Sequence, residues 1–266
     1  MRGLGWLMVA AAAIAMVGCL TAMRGCDTAM PCAHASAAPQ AWVLGAGAGL
    51  AVLAATALMT WLGRTIWLAT STSSAVRNLP RVPLPGRLRV AARRTEVGRL
   101  SCAAVDRPLA FCAGTFRPTI VVTSGLMDLL DAAALDAVLL HEEQHRRRAE
   151  PLRRVAMQAA AEVLFFLPVI HWMREQRLER SELAADRVVI DRVGPVPLAS
   201  ALWALGFTPL AGSAVGFDGA PDARVRQLLG DPRPRSWPDL RRCANSLIGV
   251  VMVTSLAACI GLSLVS

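Results

Sequence analysis

The sequence of 266 residues contains neither lysine nor tyrosine, and only 18% of its residues are charged. Hydrophobic residues make up 55%, which excludes an intrinsically disordered chain and is high for a soluble globular protein. Seven cysteines are too few for a small disulfide scaffold. The sequence has no repeat with a period of roughly 20–50 residues, which excludes solenoids and propellers. Membrane-spanning helices are therefore the first feature to look for.

Three uncharged stretches are long enough to cross a bilayer, namely residues 4–23, 41–62 and 246–265. A helix of about 20 residues spans the roughly 30 Å of hydrocarbon. The first stretch also resembles a signal peptide, because Gly18 and Cys19 weakly match a lipoprotein cleavage site. This alternative leaves the side of every later loop unchanged.

The positions of the arginines orient these spans. All 28 basic residues are arginine, and 26 of them lie within residues 63–244, whereas the loop 24–40 holds one. By the positive-inside rule, the N-terminus and residues 63–244 are cytoplasmic, and the loop 24–40 and the C-terminus are external. Cys26 and Cys32 then lie on the oxidising side, where a disulfide and two free thiols remain alternatives.

These features predict three parts: residues 1–69 with two spans and a short external loop, a cytosolic domain over 70–244, and a last span over 245–266. Residues 69–85 are rich in Ser, Thr and Pro and are predicted to be a linker. Alternating apolar residues and turn signals predict short strands. Those strands are residues 87–92, 100–105, 109–112 and 119–123.

The apolar period then changes from that of strands to that of helices. Asp131 is predicted to cap a helix that ends before Pro151. Further helices are predicted over residues 153–172, 173–193 and 222–229.

The residues that carry chemistry lie in the first of these helices, where His141-Glu142-Glu143-Gln144-His145 matches H-E-x-x-H. Residues four apart share a helix face, so both imidazoles can bind one metal ion, with zinc as the expected cofactor. Glu142, beside that face, is placed to act as general base toward the attacking water. The alternative is a solvated helix face with Glu–Arg pairs.

A third metal ligand should be a carboxylate or a histidine. Glu182 is the best candidate, because it lies on a predicted helix 37 residues after His145. Asp186, one turn further on, would accept a hydrogen bond from the other ring nitrogen of a ligand histidine. Taken alone, acidic residues on an arginine-rich helix are more typical of surface ion pairs. Taken with H-E-x-x-H, they favour a metal site.

Residues 155–172 are apolar enough to be mistaken for a further span. If they crossed the bilayer, His141 and Glu182 would lie on opposite sides and could not share a metal ion. Gln158, Glu162 and Pro168 also disfavour a lipid-exposed helix. We therefore predict a buried core helix of the catalytic domain, or a re-entrant one.

Over roughly residues 85–195 the chain resembles the BlaR/MecR-type membrane zinc peptidases, which are similar in turn to the HtpX and CAAX-protease type. The motifs that carry this resemblance occur in the expected order. They are Ala110-Phe111-Cys112-Ala113-Gly114, Arg117-Pro118-Thr119-Ile120-Val121-Val122-Thr123-Ser124-Gly125-Leu126, the H-E-x-x-H helix, Phe165-Phe166 with Pro168 and Trp172, and Glu182 with Ala185-Asp186.

The resemblance implies a membrane-anchored α+β protein, with a mostly helical gluzincin-like zinc peptidase domain, a small β-sheet and three transmembrane helices. It implies an endopeptidase of the cell membrane that cleaves a cytosolic regulator, such as a repressor of the BlaI/MecI type, or a membrane protein. Zn²⁺ would be held by His141, His145 and Glu182, with Glu142 catalytic and Asp186 in support. The strand near residues 110–114 would offer an edge to an extended substrate.

The sequence departs from this family's pattern in two ways. Antibiotic-sensing relatives carry a penicillin-binding sensor after the last span, whereas this sequence stops at Ser266, so direct β-lactam sensing is not expected. There is also no tyrosine to stabilise the oxyanion. His171, Arg180 and Arg187 are the candidates for that role.

Two other functions are considered. One is the same scaffold without turnover, acting as a membrane anchor or signalling partner. The other is a membrane-tethered nucleic-acid binder, suggested by the excess of arginine on the inner side. No binding motif accompanies the arginine clusters, and membrane topology and anionic lipid already account for them, so no direct nucleic-acid partner is expected.

Overall fold

The computed structural model describes residues 38–205, 215–216, 221–231 and 236–265. Most of these residues are helical, and the rest include a small mixed sheet. The helices are α1 (Ala38–Arg77), α2 (Gly86–Arg94), α3 (Ser124–Leu129), α4 (Ala132–Arg147), α5 (Glu150–Val163), α6 (Pro168–Val193), α7 (Pro195–Leu205), α8 (Pro221–Leu228) and α9 (Leu240–Val265). The strands are β1 (Arg81–Val82), β2 (Leu100–Ala103), β3 (Ala110–Ala113), β4 (Thr119–Thr123) and β5 (Val215–Gly216).

The described residues fall into two compact units. One contains residues 38–63, 160–172 and 237–265, and the other contains residues 64–159 with the described part of 173–236. The sheet, the H-E-x-x-H helix, Glu182 and Asp186 belong to the second unit.

Two described helical segments are long and apolar enough to cross a membrane, Val43–Arg77 and Leu240–Cys259. Large apolar side chains on both are exposed, as a lipid-facing surface requires. They contain most of the predicted spans 41–62 and 246–265, whereas the predicted span 4–23 and the loop with Cys26 and Cys32 lie outside the described residues.

Helix α1 continues through most of the stretch that the sequence predicts to be a linker. Thr72 and Ser73 donate hydrogen bonds of 2.7 and 2.6 Å to carbonyls one turn earlier in the helix. These hydroxyls are thus satisfied by the helix itself and do not compete with it. The prediction of a linker over residues 69–85 is wrong as far as Arg77.

The apolar stretch 155–172 is divided between two helices. Helix α5 ends at Val163, and α6 begins at Pro168, a residue suited to the first helical position because it has no N–H to leave unpaired. The predicted helix boundary at residue 172 is therefore wrong. Within the first unit the turn packs on α9: the backbone N–H of Val169 donates to Ser246 Oγ at 3.1 Å, and a Cβ on Gly249 would lie 2.5 Å from the carbonyl oxygen of Phe166.

The five strands form one sheet in the order β1-β2-β4-β3-β5. Strands β2 and β4 are parallel, and the other neighbours are antiparallel. One face of the sheet, with Cys102, Ile120 and Val122, packs into the helical core. Phe111 and Val121 on the other face form a smaller apolar cluster.

Two strand predictions are wrong. Residues 87–92 form part of α2, because Leu88 and Ala91, three apart, are both buried, as a helix face requires. The strand near residues 110–114 does not offer a free edge, because β3 pairs with β4 on one side and with β5 on the other. The strands predicted near 100–105, 109–112 and 119–123 are confirmed as β2, β3 and β4.

Helix α4 lies against the core of the second unit. Asp131 caps it as predicted, since its side chain accepts a 2.7 Å hydrogen bond from the backbone N–H of Ala134. Leu135, Val138 and Leu139 are almost completely buried. This packing fixes the rotation of the helix and therefore the direction of the side chains in its last two turns.

Candidate metal centre

The two histidines of the H-E-x-x-H pattern lie one turn apart on α4 and converge. His141 and His145 are at most 1% exposed, and their Nε2 atoms are 3.0 Å apart. Their rings meet edge to face. Each ring thus directs the same nitrogen toward a common point, as two ligands of one metal ion do.

Glu182 reaches this point from α6. Its Oε2 lies 3.2 Å from His141 Nε2, and its Oε1 lies 3.5 Å from His145 Nε2. One potential ligand atom from each of the three residues lies within 4.8 Å of the others. Two imidazoles and a carboxylate are a frequent donor set for catalytic zinc. Among the described residues, no other group of three His, Cys, Asp or Glu side chains meets the same distance criterion.

The pKa values of the two imidazoles are shifted in opposite directions. Burial and Arg224 oppose protonation of His141, but hydrogen bonds to Asp186 and Glu182 prevail and raise its pKa to about 9. Burial lowers the pKa of His145 to about 4. A metal ion bound to both Nε2 atoms would require these nitrogens to be unprotonated, so metal binding would compete with protonation of His141.

The carboxylate of Glu182 also fits a metal ligand. Burial opposes its ionisation, but His145 and the hydrogen bonds from both rings hold its pKa well below the usual value. Its Oε2 is buried and completes no hydrogen bond of normal geometry. A metal ion bound beside this oxygen would complete its pairing.

Glu142 and its neighbour Glu143 are in different environments. Glu142 is fully buried, and neither of its carboxylate oxygens has a hydrogen-bond partner. Burial raises its pKa to about 8. Glu143 instead accepts hydrogen bonds of 2.6 and 2.7 Å from Arg146 and 2.7 Å from Arg147. Of the two carboxylates, only that of Glu142 is not engaged by an arginine.

Asp186 lies one turn beyond Glu182, as the sequence predicts, and contacts a histidine. Its Oδ1 is 2.9 Å from His141 Nδ1. An ionised carboxylate there accepts the Nδ1–H, which leaves Nε2 as the nitrogen that faces Glu182. Burial opposes ionisation of Asp186, but the bonds from His141 and Arg224 prevail and lower its pKa.

Two arginines complete the site, and sequence reasoning missed both. Arg154 of α5 donates to Glu182 Oε1, and Arg224 of α8 donates to both oxygens of Asp186. Two buried, ionised carboxylates, Glu182 and Asp186, require compensating cations, and this requirement was the available signal. It does not identify which of 28 arginines supplies the charge, because that depends on tertiary contacts.

Two of the three predicted oxyanion stabilisers have no contact with the candidate ligands among the described residues. Arg180 and Arg187 are exposed on α6. His171 is half-buried in the first turn of α6 and belongs to the unit that contains the apolar helices. Arg154, whose side chain is 16% exposed, is the cation that contacts a candidate ligand from the less buried side.

The family model described as BlaR1 peptidase M56 matches residues 6–196, which include α4 and the Glu182 and Asp186 positions of α6. No curated protein matches the chain. Helix α8 and Arg224 lie beyond the matched residues.

Proposed function

The chain belongs to the BlaR1 peptidase M56 family of membrane metallopeptidases, and we propose that it is a zinc-dependent endopeptidase of the gluzincin type. The observation that carries the proposal is the convergence of His141, His145 and Glu182 beside a buried Glu142 without a hydrogen-bond partner. Ion-paired surface residues would not leave a carboxylate in this state.

The proposed reaction is hydrolysis of a peptide bond. His141, His145 and Glu182 would hold the zinc ion, which when bound would supply the Lewis acidity that acidifies water and polarises a peptide carbonyl. The ionised form of Glu142 takes a proton from the attacking water as the water oxygen adds to the carbonyl carbon. Glu142 then delivers that proton to the leaving nitrogen as the C–N bond breaks. Asp186 holds His141 in the tautomer that a ligand needs.

Arg154 is the residue we propose for stabilising negative charge on the carbonyl oxygen. Its guanidinium contacts Glu182 through Nη2, and its Nε is buried without a hydrogen-bond partner. Stabilising the negative charge that develops on a carbonyl oxygen requires an N–H donor that is held in place and has no other hydrogen-bond partner. Arg224 does not suit this role, because it is fully buried and its Nε and Nη2 already donate to Asp186.

The proposed setting is the cell membrane, with the catalytic unit on the cytoplasmic side. Two apolar helical segments support membrane attachment, and the arginine distribution supports the orientation. Multi-pass topology with a third span over residues 4–23 belongs to this proposal. The substrate we propose is a protein: a cytosolic regulator of the repressor type, or a membrane protein.

The function is tested with the full chain purified in detergent, zinc content measured by mass spectrometry, and a peptide library as substrate. We expect new peptide termini with wild type and with Glu143→Gln, but none with Glu142→Gln, which keeps its zinc. His145→Ala should lose zinc. Turnover by Glu142→Gln would contradict the mechanism. Zinc binding without turnover in wild type would favour a catalytically silent membrane protein.

A further inference from the structure

Arg224 is the largest fully buried side chain in the described part of the protein. It lies on α8. Its guanidinium makes a bidentate ion pair with Asp186, in which Nε donates to Oδ2 and Nη2 donates to Oδ1, both at 2.6 Å. An arginine is rarely buried completely unless a planar, paired partner compensates for the lost hydration. Asp186, itself 1% exposed, is that partner.

The same guanidinium also faces two candidate ligands. Its Nη2 is 3.5 Å from His141 Nδ1, and its Nη1 is 3.8 Å from Glu182 Oε2. One planar cation therefore lies between the carboxylate that orients His141 and the carboxylate of the proposed third ligand. Because both groups are buried, little solvent screens its effect on them.

Helix α8 is held on α6 by a second contact that involves no charge. Gln227 Nε2 donates to the backbone carbonyl of Leu183 at 3.0 Å. Gln227 thus contributes to the docking of α8 without contacting Asp186, whereas Arg224 contributes to both docking and the orientation of Asp186. The two contacts can be tested separately.

We propose that Arg224 is a positioning residue of the metal centre and that α8, which lies beyond the family match, completes this centre. With both oxygens held, Asp186 cannot rotate away from His141, so His141 Nε2 remains directed at His145 and Glu182. Without Arg224, a buried carboxylate loses two charge-assisted hydrogen bonds and its orientation. The inference rests on the proposed function, because it concerns the same metal ligands.

The test measures zinc affinity of the full chain in detergent by competition with a chelator, and the visible spectrum after cobalt substitution. We expect Arg224→Gln to weaken zinc binding by about 10- to 100-fold and to alter the cobalt spectrum. Arg224→Lys keeps the positive charge but cannot make the bidentate hydrogen bonds of a guanidinium. The zinc affinity of this variant should therefore lie between that of Arg224→Gln and that of the wild type. Arg226→Gln on the exposed side of α8 should match wild type.

Gln227→Ala separates positioning from docking, since it removes the uncharged contact and leaves the guanidinium. It should change zinc affinity by less than about threefold, well below the effect of an outer-shell partner. The inference is overturned if Arg224→Gln binds zinc like wild type, or if Gln227→Ala weakens binding as much. If Arg224→Gln does not fold, wild-type affinity in Arg224→Lys overturns it. Wild-type protein that binds no zinc would overturn the proposed function as well.

Discussion

Asp186 Oδ1 lies 2.9 Å from His141 Nδ1, although the two residues are 45 positions apart. The contact joins α6 to the helix that carries H-E-x-x-H, so a carboxylate on one helix sets the tautomer of a ring on another.

Asp186→Asn should weaken zinc binding by about 10- to 100-fold, because an amide does not fix the Nδ1–H tautomer as a carboxylate does. Asp191→Asn, on an exposed position of the same helix, is the matched control. Zinc affinity is measured by chelator competition. Equal affinities in the two variants would show that Asp186 does not support a ligand.

Arg154→Gln should lower kcat/KM by about 100- to 1000-fold at saturating zinc, because it removes the proposed donor to the developing negative charge. Arg153→Gln should retain activity, since Arg153 is 48% exposed and lies near Glu150. Peptide hydrolysis and zinc content are measured together. Loss of zinc in Arg154→Gln would instead assign Arg154 to the support of Glu182.

Cys112 should resist alkylation at pH 8 in the folded protein. Burial raises the pKa of its thiol well above the ordinary value, so the reactive thiolate is absent at pH 8 and at any lower pH. Cys243 is exposed and should be labelled under the same conditions. Iodoacetamide labelling followed by peptide mass spectrometry reports both sites. Rapid labelling of Cys112 would show that β3 is accessible.

Asp131→Ala should destabilise the catalytic unit by about 1 kcal/mol, because it removes the side-chain cap of α4. Asp128→Ala, at an exposed position just before this helix, should have little effect. Thermal unfolding in detergent, followed by circular dichroism, compares the two. A larger loss for Asp128→Ala would contradict the assigned cap.

The local features of the site could be predicted from sequence. Spacing alone places His141 and His145 on one helix face, and a side-chain oxygen before an apolar helical run identifies Asp131 as a cap. The proximity of Glu182 follows only when the metal site is assumed, because nothing local brings α6 to α4.

Other features depend on tertiary structure. The alternation of Arg and apolar residues in 87–92 fits a strand as well as it fits a helix. The burial of Leu88 and Ala91, which lie three residues apart, shows that the segment is helical. Pairing of β3 with β5 joins segments more than 100 residues apart, for which the sequence carries no register signal. Arg154 and Arg224 are selected by geometry from many arginines.

The near-complete burial of the four central side chains has a kinetic consequence. His141, Glu142, His145 and Glu182 are each at most 1% exposed, so solvent does not reach them in this conformation. If the proposed hydrolysis takes place at this site, the conformation would have to open first, and turnover would be proportional to the fraction of molecules in the open form. A signal, a lipid or a partner that shifts the fraction of open molecules would then set the rate of turnover without contacting any of these four side chains.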